Sequence, residues 1–173
     1  MAGATRVRQT NTVIAAPSEQ VDLARWLRGV TTEEYVGFTP RSGAHKSHTV
    51  LEADRSFVIE AVESIGGTML RHRYQAEVMD PHRTVCVSPD SRGEFLSRVP
   101  VRFRTTWELS VEPRDSDTST LHCRIEVEYR ARIWLILSAL TGTPLWLRLH
   151  SREETPRMAE SIAADARRGV ISH

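Results

Sequence analysis

The sequence predicts an α+β fold in which an antiparallel sheet of about seven strands packs against one long C-terminal helix. Two segments, Val101 to Val111 and Leu121 to Arg132, alternate between apolar and polar residues, as strands with one solvated face do. The segment from Gly142 to Gly169 carries the longest helical pattern in the chain. Because it follows a long series of strand-like segments, sheet and helix are segregated along the chain.

The N-terminal segment is predicted to form one strand followed by two short helices. Thr5 to Ala15 is rich in Thr and Val and alternates loosely, which favours a strand. A helix is expected to begin with Ser18 as its cap and to end at Gly29. Its helical spacing comes from Val21, Ala24 and Leu27. A second short helix is expected from Thr31 or Thr32 to Val36.

Between residues 47 and 97 the pattern predicts short strands separated by turns. The strands are Ser47 to Ala53, Phe57 to Ile65, Thr68 to Met79, Thr84 to Ser88 and Glu94 to Ser97. The turns are marked by Asp54-Arg55, by Gly66-Gly67, by Asp80-Pro81-His82 and by the stretch from Pro89 to Gly93.

The two clearest strands define a buried face and a solvated face of the sheet. Their inward residues are Val101, Phe103, Thr105, Trp107, Leu109, Val111, Leu121, Cys123, Ile125, Val127, Tyr129 and Ala131. Trp107 is central among them, and we expect it to be a core residue. On the other face arginines alternate with glutamates, which favours ion pairs across strands over a basic surface for nucleic acid.

The last helix is predicted to bury one stripe against the sheet. The stripe consists of Leu147, Ser151, Thr155, Met158 and Ile162, with Glu154 on its edge. The opposite, solvated side carries Glu153, Arg157, Glu160 and Arg167. Two hydroxyls on a buried stripe suit a helix that lies over a partly filled cavity. Pro156 either kinks this helix or starts a fresh segment capped by Thr155.

Composition bounds the class of protein. The chain has 173 residues with 40% hydrophobic and 26% charged residues, which predicts one soluble domain spanning residues 1–173. A net charge of +1 argues against nucleic acid as a partner. The polar N-terminus and the broken apolar segment from Ile133 to Leu149 predict a cytoplasmic protein without stable membrane insertion. Cys86 and Cys123 are expected to be free, buried thiols.

The segment VIAAPSEQV, from Val13 to Val21, together with the order of elements, resembles the helix-grip superfamily. That superfamily includes lipid-transfer domains, the birch-pollen allergen fold and bacterial polyketide cyclases/aromatases, and the last branch is the nearest in pattern. In the family an aromatic residue often follows the final Val of this segment. In this sequence that position is Asp22, and Trp26 lies one helical turn further along the chain. The resemblance implies a curved sheet around the last helix and a cavity for a hydrophobic small molecule. It implies no cofactor and no universal catalytic motif.

Three polar residues are candidates for chemistry inside that cavity. His72 and Tyr74 share the parity of Leu70, Ala76 and Val78, so both should face the interior. They are either ordinary core residues or polar anchors of an apolar pocket. Glu154 is expected to project towards them, where a buried carboxyl needs a partner or stays protonated. Catalytic roles are therefore predicted for Glu154, His72 and Tyr74.

His150 and Glu154 are four residues apart and therefore neighbours on one face of a helix. They could be two metal ligands, as in some zinc-dependent carbon–carbon hydrolases of similar fold, or a base with its orienting carboxylate. A surface ion pair is the favoured interpretation, because two ligands do not make a site, so no metal is expected. The other histidines, His45, His48, His82 and His122, show no ligand spacing.

Two functions remain open from the sequence. One is a carrier of a lipid or polyketide-like molecule, and the other is a cyclase/aromatase or hydratase-like enzyme using the same cavity. Ligand contacts are predicted from Leu147, Ser151, Thr155, Met158, Trp107 and Phe103, with Ile133 to Leu149 as the cavity mouth. Titratable groups that converge in the cavity would favour the enzyme. The oligomeric state stays open, a dimer included.

Overall fold

The computed structural model describes residues 4–53, 56–66, 68–95, 99–131, 133, 136 and 143–171. The strands are β1 (Ala4–Ile14), β2 (His45–Ala53), β3 (Ser56–Ile65), β4 (Thr68–Asp80), β5 (Arg83–Phe95), β6 (Val99–Pro113) and β7 (Ser119–Tyr129). The helices are α1 (Leu23–Gly29), α2 (Thr32–Gly37) and α3 (Thr143–Ile171), with a 3₁₀ turn at Ser18–Gln20. This is the predicted α+β order of elements.

All seven strands form one antiparallel sheet in the order β1-β7-β6-β5-β4-β3-β2. Every neighbour after β1 is also a neighbour in sequence, so hairpins build most of the sheet. β1 closes it by pairing with β7 from Ala4 opposite Tyr129 to Ile14 opposite Ser119. A sheet of about seven antiparallel strands was predicted correctly.

The prediction of two short strands around a turn at residues 89–93 was wrong. β5 is continuous from Arg83 to Phe95, and its pairing with β6 shifts register between Ser88 and Ser91. Pro89, which has no N–H to give to a ladder, lies in this irregularity. A bulge therefore accommodates the residues whose composition indicated a turn. Ser97, the predicted end of the second strand, lies outside the described residues.

The helix after β1 begins later than predicted. Ser18 belongs to the 3₁₀ turn and caps no α-helix, whereas Asp22 caps α1 by accepting a 2.9 Å hydrogen bond from the Arg25 N–H. The predicted second short helix is confirmed, with Thr31 as its cap. The turn between β4 and β5 anchors α1, because the Leu23 N–H donates to the Pro81 carbonyl at 2.7 Å.

α3 lies across the concave face of the sheet with the predicted stripe buried. Its buried members are Leu147, Ser151, Thr155, Met158 and Ile162, together with Glu154. The helix continues through Pro156, so the alternative of a fresh segment capped by Thr155 was wrong. The Thr155 hydroxyl instead donates to the Ser151 carbonyl at 2.7 Å and lies 2.8 Å from the hydroxyl of Thr10 in β1.

The core lies between α3, the two short helices and the inward face of the sheet. Cys86 in β5 and Cys123 in β7 are buried and free, with β6 between their strands, as predicted. Trp107 is only half-buried: it packs against the core from the cavity side. The expectation that it would be an ordinary core residue was wrong, because the cavity leaves part of its ring uncovered.

The outer face of the sheet carries the predicted ion pairs across strands. Arg83 meets Glu108 at 2.9 Å, and Arg73 pairs with Glu60. None of the helices in the described residues is long and apolar enough to cross a membrane.

Candidate functional site

A cavity of about 50 Å³ lies between α3 and the sheet. Its walls are mostly apolar and include Phe103, Trp107 and Leu147, three of the residues predicted to contact a ligand. That volume is room for a few water molecules. The cavity therefore has space for the reacting group of a ligand, and a larger body has to extend beyond it.

Three other residues predicted to contact a ligand do not line this cavity. Ser151 and Thr155 turn their hydroxyls back along the helix to the carbonyls of Leu147 and Ser151. Met158 is fully buried in the core. All three lie on the buried stripe as predicted, with Thr155 beside Thr10 of β1 and Met158 in the core.

His150 and Glu154 form a buried pair, not the surface ion pair that was favoured from sequence. Each residue is 4% exposed, and the His150 Nε2 atom lies 3.3 Å from Oε2 of Glu154. The interpretation failed because the first residue of β2 reaches this side of α3: His45 brings its Nε2 atom to 3.4 Å from the other oxygen, Oε1, of Glu154. Glu154 thus lies between two imidazoles.

His45 is a site residue that spacing alone did not identify. Its Nδ1 atom lies 2.7 Å from the Tyr35 carbonyl, and the two rings stack at 3.8 Å with 4° between their planes. The register of β2 shifts between His45 and Ser47, so His45 and His48 both become buried although they are three residues apart. A strict alternation would have placed the two histidines on opposite faces.

His72 and Tyr74 face the cavity, as their parity predicted. His72 Nδ1 lies 2.9 Å from the Ser91 hydroxyl, which donates to Thr105 at 3.1 Å. Because that hydroxyl gives its proton to Thr105, it accepts one from Nδ1, and the lone pair of His72 is left on Nε2. The two rings of His72 and Tyr74 stack with centroids 5.1 Å apart.

Glu63 in β3 completes the polar lining and was missed by the sequence analysis. Its Oε1 atom accepts a 2.7 Å hydrogen bond from the Tyr35 hydroxyl, and its Oε2 atom lies 4.0 Å from His72 Nε2. The sequence does contain a feature that points to Glu63. In β3 it lies on the same face as Phe57, Ile59, Ala61 and Ile65, which are all buried.

Burial and neighbouring charges set the protonation of these groups. Burial opposes the charge of Glu63, but His72, then His45 and His150, outweigh it and lower the pKa of Glu63 to about 2. Burial, opposed in part by Glu63, lowers the pKa of His72. Burial also opposes a charge on His45, yet nearby Glu154 raises the pKa of His45.

Tyr35, Tyr74 and His48, which also line the cavity, stay neutral. Burial, reinforced by Glu63, raises the pKa of Tyr35 and of Tyr74 well above the usual value, so both hydroxyls keep their protons. Burial, with the nearby His45 adding to it, lowers the pKa of His48 to about 4. The cavity thus combines neutral donors with an ionised carboxylate.

The predicted meeting of Glu154 with His72 and Tyr74 is replaced by a division of the cavity into two sides. Glu154 pairs with His45 and His150 on the helix side, while His72 and Tyr74 lie on the sheet side. Glu154, His72 and Tyr74 all line the same cavity. Glu154 is buried, so it does not point into bulk water.

Comparison with known proteins bears on the fold. No family model matches the chain, and no curated protein matches its sequence. Among solved structures, the Zhui aromatase/cyclase from Streptomyces sp. R1128 is 16% identical, with a TM-score of 0.55 over 96% of each chain. A norcoclaurine synthase mutant from Thalictrum flavum is 13% identical, with a TM-score of 0.58 over 96% of each chain. Ginseng major latex-like protein 151 from Panax ginseng is 13% identical, with a TM-score of 0.57 over 90% of this chain and 95% of that one.

These structures share the curved antiparallel sheet and the long C-terminal helix over nearly the whole chain. This chain has the helix-grip fold. The resemblance stated from the sequence is thereby confirmed at the level of architecture. At 13–16% identity the likeness extends to the fold and not to any one activity.

A second, open cleft adjoins the helix-grip cavity. It has a volume of about 580 Å³ and shares Ile65 and His150 with the cavity lining. Trp146 stands over Gly66, where a Cβ atom would lie 2.9 Å from the indole and where φ is +59°. Trp146 and Leu149, which line the cleft, belong to the segment predicted as the cavity mouth. Residues 134, 135 and 137–142 of that segment lie outside the described residues.

Among the described residues one group of side chains could hold a metal ion. It consists of His45, Glu63 and His150, whose ligand atoms lie within 4.8 Å of one another. From sequence, His150 could be paired with Glu154 only, because His45 and Glu63 come from β2 and β3 and have no regular spacing to α3.

Proposed function

We propose that this protein binds a small, mostly apolar molecule between α3 and the sheet and catalyses proton transfer on it. One observation carries the proposal. The Nε2 atom of His72 has no hydrogen-bond partner among the described residues, and it lies in an apolar cavity beside Tyr74. A buried nitrogen with a free lone pair next to a neutral hydroxyl is suited to general acid–base catalysis.

His72 is the proposed base. The hydrogen bond to Ser91 keeps the proton on Nδ1 and aims the lone pair of Nε2 into the cavity. Tyr74 is the proposed donor, because its hydroxyl stays protonated and its ring is stacked on that of His72. Glu154, with His45 and His150, is proposed to hold the polar group of the ligand from the helix side.

The reaction that fits these roles is proton abstraction from a carbon next to a carbonyl group. His72 Nε2 takes the proton, the electron pair of the C–H bond moves towards the carbonyl oxygen, and the Tyr74 hydroxyl donates a hydrogen bond to that oxygen. Isomerisation, loss of water and ring closure can all start from the resulting enolate, with the abstracted proton held on His72 Nε2. Fixed donors in an apolar cavity stabilise such developing charge more strongly than water does.

The space available supports a ligand larger than the cavity itself. About 50 Å³ takes the reacting group, and the adjoining cleft of about 580 Å³ is within the usual range of small-molecule sites. Two of the similar structures are, by their names, an aromatase/cyclase and a norcoclaurine synthase. A carrier needs a single polar anchor, whereas here titratable groups from β2, β3, β4, α2 and α3 converge.

Exchange of the methyl protons of acetophenone in D₂O, followed by proton NMR, tests the proposal. This ketone has one acidic C–H group, one carbonyl and an apolar ring. The protein is expected to accelerate exchange by about 100-fold or more over buffer. His72→Asn keeps a donor to Ser91 but removes the base, and Tyr74→Phe removes the hydroxyl; both should abolish most of the acceleration. Arg71→Gln, on the exposed face of the same strand, is the matched control.

Binding of the ketone without any acceleration of exchange would contradict an enzyme and favour a carrier. Full acceleration in His72→Asn would contradict the role of His72. A native mass spectrum of the purified protein, searched for a bound small molecule, would identify the class of ligand in either case.

A further inference from the structure

On its helix side the cavity contains more side-chain atoms that can bind a metal ion than a single ion pair would need. Ligand atoms of His45, Glu63 and His150, from β2, β3 and α3, lie within 4.8 Å of one another. Glu154 adds a carboxylate whose oxygens lie 3.4 Å and 3.3 Å from Nε2 of the two histidines. His45, His150 and Glu154 are each at most 4% exposed, so water screens this cluster little.

The two nitrogen–oxygen distances are long for charge-assisted hydrogen bonds, which are about 2.7–2.9 Å. Ligand atoms about 2.0–2.2 Å from one zinc ion, at tetrahedral angles, lie roughly 3.3–3.6 Å apart. Oε1 of Glu154 stands from His45 Nε2, and Oε2 stands from His150 Nε2, at the distance that separates two ligands of one metal ion. Glu154 would thus reach an ion held by the two histidines through both of its oxygens.

Several atoms of the cluster lack hydrogen-bond partners among the described residues. They are Nε2 of His45, Nδ1 of His150 and Oε2 of Glu154. Unpaired buried polar atoms are rare in folded proteins, and a bound ion is one of the few arrangements that satisfies them. Nε2 of His45 and Oε2 of Glu154, two such atoms in one cluster, point to a ligand that the protein chain itself does not supply.

Tyr35 orients two members of the cluster at once. Its carbonyl accepts from Nδ1–H of His45, which leaves the lone pair of Nε2 facing the cluster, and its ring stacks on the imidazole. Its hydroxyl donates to Glu63 at 2.7 Å. Metal-binding histidines and carboxylates are held by outer partners of this kind, which fix the tautomer and the orientation of the ligand.

We propose that His45, His150, Glu63 and Glu154 bind one divalent transition-metal ion of the zinc class. Two neutral imidazoles and two carboxylates balance a charge of +2, and imidazole nitrogen selects such ions over calcium and magnesium, which take oxygen ligands. When bound, the ion supplies a Lewis acid on the helix side, opposite His72 and Tyr74. The proposal goes beyond the proposed function, because a metal can bind whether or not the cavity transfers protons.

Metal analysis and titration of the full chain with Co²⁺ test the proposal without reference to activity. Protein treated with a chelator should take up one equivalent of Co²⁺ and show the visible absorption of a four- or five-coordinate site. Competition should give a zinc dissociation constant below about 1 µM. Zinc should also raise the melting temperature in a concentration-dependent manner.

Variants separate this cluster from the rest of the cavity. His45→Gln and His150→Gln should each lower the affinity by about 100-fold or more, and Tyr35→Phe, which removes an outer partner, by about 10- to 100-fold. The matched control is His48→Gln, since His48 is a buried histidine of the same strand and lines the same cavity. The zinc affinity of His48→Gln should stay within about threefold of that of the wild-type protein. Circular dichroism shows whether each variant is folded.

Uptake of less than about a tenth of an equivalent by the wild-type chain would overturn the proposal. An equal loss of affinity in His48→Gln and His45→Gln would overturn the ligand set. His72→Asn should keep full metal affinity while losing ketone exchange, so failure of the metal site and failure of the proposed reaction are told apart. If the ligand variants do not fold, the stoichiometry and spectrum of the wild-type chain decide the question.

Discussion

Nε2 of His45, the first residue of β2, lies 3.4 Å from Oε1 of Glu154, near the middle of α3. This contact joins the edge strand of the sheet to the helix that the sheet surrounds. It also places an imidazole beside the buried carboxylate of Glu154 as an ion-pair neighbour, without a hydrogen bond between them. The polar side of the cavity therefore depends on how β2 and α3 pack.

Glu154→Gln should preserve the fold but lower both metal uptake and ketone exchange. The amide has nearly the same shape but no charge for the two imidazoles. We expect a change in stability of about 1 kcal/mol or less and a loss of at least about tenfold in ketone exchange. Rate and affinity equal to those of wild type would contradict the role of Glu154.

The matched control for that variant is Glu160→Gln, on the exposed side of α3. Glu153 was expected from sequence to lie on the solvated face, but it is unsuitable as the control position. Its carboxylate accepts hydrogen bonds from the N–H groups of Arg41 and Ser42, so it fastens the loop before β2 to the helix.

Cys86 and Cys123 should be unreactive in the native protein. Burial raises the pKa of Cys86 to about 12 and raises that of Cys123 further, so neither forms the thiolate that reacts. A thiol reagent such as DTNB at pH 8 should modify neither residue. After unfolding in guanidinium without reductant, two thiols per chain should react. Finding none would mean that the cysteines are bonded.

Leu121→Ala should destabilise the protein more than Trp107→Ala does. Leu121 is fully buried in the core, and its truncation should lower the free energy of unfolding by about 2–5 kcal/mol. Trp107 is half-buried beside the cavity. Its truncation should therefore lower the free energy of unfolding by less than roughly 3 kcal/mol, the lower end of the range for fully buried aromatic residues. Urea unfolding measures both. The reverse order would mean that the indole is a core residue after all.

His48 should make the protein less stable as the pH falls. Its pKa is about 6.5 when unfolded, and burial with the nearby His45 lowers it to about 4 in the native state. Between these values the unfolded state binds more protons, so stability is full above pH 6.5 and is lost towards pH 4. The loss should not exceed about 3 kcal/mol.

His48→Leu should flatten the pH dependence of unfolding in this window, measured by denaturant titration at several pH values. His82→Leu, which changes an exposed turn residue, should leave the slope as in wild type. An unchanged slope in His48→Leu would show that His48 is not the group responsible.

The sequence alone determined the elements and the faces they bury. Alternation in β6 and β7, the stripe on α3 and the parity of His72 and Tyr74 are local properties, because the side-chain periods of strand and helix fix them. The free state of the two cysteines was predicted from their positions in separate strand-like segments and from a sequence that does not indicate secretion. Asp22, and not Ser18, became the cap of α1 because the 3₁₀ turn intervenes, which a residue preference cannot foresee.

The tertiary structure alone decided which polar residues meet. The register shift in β2 turned both His45 and His48 inward, and the position of β2 beside α3 brought His45 to Glu154. Glu63 joined them because β3 pairs with β2. Such contacts depend on bulges and on how elements dock, and residues far apart in the chain carry no spacing that encodes them. The helix-grip architecture could thus be predicted from sequence, whereas the composition of its polar site could not.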